Sequence, residues 1–155
     1  MYIDRLPNDV LVTLKNTEQN LKWHPEKTVY NHIFLVEKEA RKYDVNLEMV
    51  AVFHDLGKPE CLQMRGGRPV FYGHEFKAKK FIEEYKHLFD DLDVNWDMVA
   101  WICRQHMKSH LLDKMRPFKR EEIVGHEWFP YLLQFSDCDN NGRLPVDEID
   151  YIDGS

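Results

Sequence analysis

An all-α, compact single domain is the fold class this sequence predicts, and three observations carry the prediction. Apolar residues recur at helical spacing in nearly every long segment. Thr, Asn and Pro stand where those stripes begin, and Gly or Pro where they end. With 155 residues, 43% hydrophobic and 13% aromatic, the chain can bury a core of its own.

The elements follow in order. Pro7-Asn8-Asp9 opens a first helix running to about Asn20, and residues 21–27 form a connector. Thr28 caps a second helix that ends near Tyr43-Asp44. Asn46 caps a third, and Gly57-Lys58-Pro59 stops it. Arg65 to Pro69 reads as a flexible loop, with Val70-Phe71-Tyr72 a short extended piece. A helix opened by His74 runs to about Leu88, and Asn95 caps the next. Pro117 breaks the chain before a short helix over 119–125. The last main helix spans Glu127 to Asp137, disturbed by Pro130. Residues 144–155 form an acidic, loosely held tail; the motif-bearing core is about 23–143 of one domain over 1–155.

The adjacent pair His54-Asp55 ends an apolar helix, where helical spacing sets Leu47, Val50, Ala51 and His54 on one inward face. Burying a His and an Asp is costly without a partner. A divalent metal takes a neutral imidazole and a carboxylate together. Other polar residues also extend apolar stripes: His32 with Val29, Val36 and Tyr43; His74 with Ala78, Phe81 and Tyr85; His106 with Val99, Ile102 and Cys103. His110 lies one turn beyond His106, and Asp137 one turn after Leu133. A lone His on an apolar face is usually a hydrogen-bonded core residue; so many on separate segments point to one shared site.

The order His32, His54-Asp55, then a distant Asp resembles the HD-domain metal-dependent phosphohydrolases. The fuller match is to the HD domain attached to bacterial tRNA nucleotidyltransferases and poly(A) polymerases. It rests on Trp23-His24-Pro25-Glu26, His54 to Lys58, Gly73-His74-Glu75, His106-Met107-Lys108-Ser109-His110, and Asp137 followed by Gly142-Arg143. A chain of 155 residues has no room for a nucleotidyltransferase head, so only the hydrolase half carries over.

The resemblance implies that His32, His54, Asp55 and Asp137 hold one divalent ion. His74, His106 and His110 would hold a second ion or contact phosphate. Asp55, with two oxygens, would bridge, and metal-activated water would attack phosphorus. Imidazole-rich ligation suits Mn, Fe, Ni, Co or Zn better than Mg. Lys58 and Arg143 are candidate phosphate contacts; each is otherwise a solvated or helix-end charge. Glu75 and His24 could orient ligands from behind. The four tryptophans read as core; His87 and His126 read as surface.

The implied substrate is a phosphoester of a nucleotide or an RNA end, with 2′,3′-cyclic phosphodiester opening and phosphatase action favoured. A nucleotidase or a triphosphate or alarmone hydrolase is the alternative within hydrolases. A non-catalytic nucleotide- or metal-sensing module is the alternative outside them.

One further pattern competes. Asp137-Cys138-Asp139-Asn140-Asn141-Gly142 with Glu148 fits a calcium-binding loop. It occurs once, although such loops work in pairs, and Pro145 falls where a ligand or water-holding residue belongs.

Composition bounds the setting. Acids outnumber bases 27 to 21, which argues against binding long duplex nucleic acid. No apolar run approaches a membrane span and the N-terminus lacks a signal pattern. Three scattered cysteines suit a reducing, cytoplasmic compartment.

Overall fold

Three side-chain caps set the helices that build the site. The Thr28 hydroxyl accepts from Asn31 N and starts α2 (Val29–Ala40). The Asp44 carboxylate accepts from Leu47 N and starts α3 (Val45–Phe53). Asn95 accepts from Met98 N and starts α6 (Trp96–Gln105). Each satisfies one amide that the helix itself leaves unpaired. Asp44, not Asn46, is therefore the cap of α3; Asn46 accepts from Asn95 N and ties the two helix starts together.

The structure is a computed structural model and describes residues 1–152. Before α2 stands α1 (Asn8–Asn16), shorter than the sequence suggests. After α3 come the one-turn α4 (Lys58–Cys61) and a hairpin of β1 (Gln63–Arg65) and β2 (Arg68–Val70). Gln63 pairs with Val70 and Arg65 with Arg68. The stretch expected as a loop is this hairpin, and Gly66 and Gly67, both at positive φ (57° and 74°), make its two-residue turn. Further helices are α5 (Ala78–Tyr85), α7 (Pro117–Val124) and α8 (Phe129–Asn141). His74 lies in a separate 3₁₀ turn before α5.

The core forms around α2 and α3. In α3, Leu47 and every residue from Met49 to Phe53 are buried, so the helix is apolar all round. It packs against α2, α6 and α8, and α2 packs in turn against α1 and α8. Leu47, Met49, Val50, Val52 and Phe53 each contribute about 1.5–3 kcal/mol by leaving water. Helix α2 ends at Ala40, which leaves Tyr43 exposed and off its stripe.

The final segment departs most from expectation. Pro130 sits in the first turn of α8, where a missing N–H costs nothing, so it does not disturb the helix. Helix α8 then continues to Asn141. The residues that looked like the start of a calcium loop are thus helical and cannot wrap an ion. Among the described residues the tail is anchored as far as Tyr151: Ile149 is buried, and the Tyr151 hydroxyl donates to Asn31 Oδ1 at 2.7 Å. Among the described residues no helix is long and apolar enough to cross a membrane.

Candidate metal centre

Four imidazoles and two carboxylates converge where α2, the ends of α3 and α6, the His74 turn and α8 meet. His32, His54, Asp55, His74, His106 and Asp139 are all buried. Helix α8 supplies Asp139 because Leu132, Phe135 and Asp139 share its inner face. Asp137 is exposed, as is Leu133 one turn before it. The distant carboxylate of the cluster is thus Asp139, two residues beyond the expected one. Helical rotation carries Asp137 out to solvent.

The histidines share one orientation. Nδ1 of His54 faces Ala51 O at 2.8 Å, Nδ1 of His74 faces Phe71 O at 2.9 Å, and Nδ1 of His106 faces Cys103 O at 2.6 Å. His32 Nδ1 faces Gly142 O and Glu26 Oε1, each at 3.1 Å. A carbonyl oxygen only accepts, so each Nδ1 carries a hydrogen and each ring turns Nε2 inward, with a lone pair there whenever the ring is neutral.

Those lone pairs meet carboxylate oxygens. Asp55 Oδ2 lies 3.1 Å from His54 Nε2 and 3.6 Å from His32 Nε2. Asp55 Oδ1 lies 3.1 Å from His74 Nε2 and 3.7 Å from His106 Nε2. Asp139 Oδ1 is 2.8 Å from His32 Nε2 and 3.5 Å from His54 Nε2. The two Nε2 atoms of His74 and His106 face each other at 3.2 Å. His54 Nε2 is buried and out of line for a hydrogen bond with either nearby carboxylate.

Acceptors gathered around acceptors repel unless a cation lies among them. The donors fit a divalent transition metal, which takes imidazole and carboxylate together. Of three groups that could hold an ion, His24, Glu26 and His32 lie bonded to one another behind the cluster, and two use the inward Nε2 atoms: His32, His54 and Asp55, with Asp139 alongside, and Asp55, His74 and His106. Asp55 belongs to both, one oxygen turned to each.

The charges are strongly coupled. Burial pushes the His54 imidazole down, but Asp55 and Asp139 outweigh it and carry it up to about 10. His32 is also raised against burial, by Asp139 and Glu26. Burial raises both aspartates, yet the facing cations hold them well below the usual range: His54 and Lys58 for Asp55, His32 and His54 for Asp139. His106 is pushed down to about 4 by burial and by His54. Without metal, protons would hold part of the cluster together, and metal would have to displace them.

The surrounding residues divide by position. Lys58 is buried, with Nζ 3.1 Å from Asp55 Oδ2 and 2.5 Å from Gln19 Oε1, so it is no solvated helix-end charge. Arg143 donates to Trp23 O at 2.6 Å and lines the cleft over the cluster. His24 stands behind His32: its Nδ1 meets Glu26 Oε1 at 2.7 Å, and the same oxygen meets His32. Glu26 is fully buried; burial raises its carboxyl, but His24 and His32 pull it to about 2. Its place in the Trp-His-Pro-Glu stretch was the available signal. Glu75 comes no nearer than 3.7 Å to His74 Nδ1, which bonds a carbonyl instead. His110 is exposed on the cleft wall, outside both ligand groups. Trp23, read as core, is 59% exposed. His126, read as surface, is half-buried and stacks on Trp101 at 4.1 Å.

The cleft holds about 510 Å³. Its floor is His32, Asp55, His74, His106 and Asp139, and its rim includes Phe71, Tyr72, Met107 and Leu111. The HD domain family model matches residues 29–129, well over half the sequence and most of this floor.

The chain belongs to the HD-domain family.

HD domains are generally metal-dependent phosphohydrolases, and some members are non-catalytic. This HD domain is 25% identical over 139 residues to the "Multifunctional CCA protein" of Vibrio cholerae serotype O1 strain M66-2, covering 84% of this chain and 34% of that protein. It is 25% identical over 144 residues to the protein of that name from strain ATCC 39541 / Classical Ogawa 395 / O395, with the same coverage. The HD domain described here therefore spans about a third of the length of the curated relatives it matches. No solved structure matches.

Proposed function

We propose that this HD domain is a metal-dependent phosphohydrolase acting on a phosphomonoester or phosphodiester of a nucleotide or an RNA end, with opening of a 2′,3′-cyclic phosphodiester favoured. One observation carries the reading. The Nε2 lone pairs of His32, His54, His74 and His106 converge on Asp55, whose two oxygens face different pairs. Divalent ions, held by His32, His54, Asp55 and Asp139 and by Asp55, His74 and His106, would supply Lewis-acid polarisation of a phosphoryl oxygen and an activated water. Mn, Fe, Ni, Co or Zn fit these donors better than Mg, with one ion or two.

The chain's own groups do the rest. Lys58 steadies the shared carboxylate and adds positive charge beside the phosphate. Arg143, held at the rim by Trp23 O, offers N–H donors to phosphate oxygens. His110, free on the cleft wall, is suited to give a proton to a leaving oxygen. Glu26 and Gly142 O fix the tautomer of His32, with His24 completing the chain behind it. Phe71, Tyr72 and Leu111 offer an apolar wall to a ribose or base. Three free cysteines, Cys61, Cys103 and Cys138, fit a cytoplasmic setting.

The test is hydrolysis of 2′,3′-cyclic and 3′,5′-cyclic nucleotides, nucleoside mono- and triphosphates and an aryl phosphate, with Mn, Ni or Mg and with a chelator. Chelator-sensitive turnover is expected, fastest on the 2′,3′-cyclic class. Asp55→Ala should cut it at least about a thousandfold while circular dichroism stays helical. Preference for mono- or triphosphates would move the reading to a nucleotidase or triphosphate hydrolase. Metal bound without turnover on any substrate would sink the enzyme reading in favour of a sensing module.

A further inference from the structure

A second cleft, of about 380 Å³, opens beside the metal centre. Its lining includes Trp101, Lys108, Met115, Lys119 and His126, together with one acid, Glu122. Met107, whose chain neighbour is Lys108, lines the metal cleft together with His110 and Leu111. The short segment after α6 is therefore a wall common to both clefts.

That wall belongs to the most basic stretch of an acidic chain. Between residues 104 and 120 stand Arg104, Lys108, Lys114, Arg116, Lys119 and Arg120, against the single acid Asp113. Elsewhere, bases such as Arg5, Lys42, Lys58 and Lys80 are neutralised by a nearby carboxylate. Among the described residues none of the six cations forms an ion pair; Arg104 instead covers the ring of Phe76 at 3.9 Å. Cations without an ion pair stand elsewhere too, Lys15 and Arg68 among them, but six within residues 104–120 against one acid concentrate positive charge on a net-negative chain, and that concentration favours a polyanion there. The stacked Trp101–His126 pair, its rings 4.1 Å apart, puts an aromatic surface beside Lys108 and Lys119. Aromatic faces flanked by cations are how single-stranded nucleic acid is held without reading its sequence.

We propose that residues 104–120 and this second cleft dock the backbone of a single-stranded RNA whose 3′-terminal phosphoester enters the metal cleft, so that the substrate is an RNA end and not a free nucleotide. The inference rests on the hydrolase reading above and narrows its substrate. The shared wall carries the geometry: a strand crossing it presents its last phosphate to His110 and the ions while earlier phosphates meet Lys108 and Lys119. The acidic remainder of the surface confines contact to a few nucleotides.

The experiment compares 2′,3′-cyclic UMP with a uridine oligoribonucleotide of about eight nucleotides ending in the same cyclic phosphate. At low salt the oligonucleotide should show a KM at least about tenfold lower, with a steep salt dependence. Lys108→Glu with Lys119→Glu should raise its KM about tenfold and flatten the salt slope by roughly 0.7 per lost contact. The same pair should leave turnover of the mononucleotide unchanged, and Lys108→Arg with Lys119→Arg should restore oligonucleotide KM. Equal KM for the two substrates, or an equal loss on both, overturns the proposal.

Fluorescence anisotropy of a labelled uridine oligonucleotide separates the two readings. Salt-sensitive binding that the charge reversal removes supports docking even if nothing is hydrolysed. No binding at low salt, or displacement as ready by UMP as by the oligonucleotide, overturns it.

Discussion

Helix α2 buries two ionisable residues little more than one turn apart, and they are satisfied in opposite ways. Glu37 is wholly buried, and its two oxygens accept from Tyr2 N at 2.9 Å and Ile3 N at 3.0 Å. The protein closes that site itself, pinning its N-terminal turn against α2. His32 is equally buried, but its inward nitrogen meets Asp139 and Asp55 in a cluster where lone pairs face carboxylates. The first arrangement is complete in protein atoms and serves packing. The second gathers ring nitrogens and carboxylates of several elements at one point, an arrangement that a cation could complete.

The strongest way to break the comparison is to remove a carboxylate from the cluster. Asp139→Asn should lower metal affinity and turnover by about a hundredfold, while Asp137→Asn should stay within about twofold. Metal titration and kcat/KM check both; equal losses, or a larger loss at Asp137, would return the role to the exposed residue. Next in size is metal removal. A chelator should lower the melting temperature by about 5–10 °C when metal is present at a hundredfold excess over Kd. Glu37→Gln should show the same drop, because its site needs no ion.

The smallest effect sharpens the Glu37 side. Burial raises its carboxyl from 4.5 to about 7, against the pull of the two amides. The folded state therefore holds this proton more tightly than the unfolded chain. Its contribution to stability is full below pH 4.5 and is lost as pH rises through about 7. Glu37→Gln should remove that decline and change stability at pH 8 by no more than about 1 kcal/mol. Urea unfolding of both proteins from pH 5 to 8 is the check; parallel curves would show that Glu37 does not titrate in this window.

Much of this site was legible because helical spacing carries it. His32, His54 and His106 extend apolar stripes, and the structure brings all three together with Asp55 and His74. Asp139 was missed for a physical reason. A stripe anchored on Leu133 points to Asp137, whereas Leu132 and Phe135 are the buried residues of α8 and Leu133 is 45% exposed. An anchor one residue off rotates the whole face by about 100°. Glu26 and Gln19 lie outside regular helix, where no periodicity reports burial. The hairpin had its signal in Gly66-Gly67, but strands of three residues give too little alternation to register.

Gly142 brings α8 against α2 so closely that a Cβ there would lie 2.6 Å from Val36 Cγ2, and its carbonyl accepts from His32. Together with Asp139, it reaches His32 across more than a hundred residues of chain. The order of synthesis gives that separation a meaning. A chain emerging from the ribosome has displayed all four imidazoles and Asp55 before α8 exists. An ion held by His32, His54 and Asp55 would gain Asp139 only when the last helix arrives, whereas the group of Asp55, His74 and His106 would be complete before it.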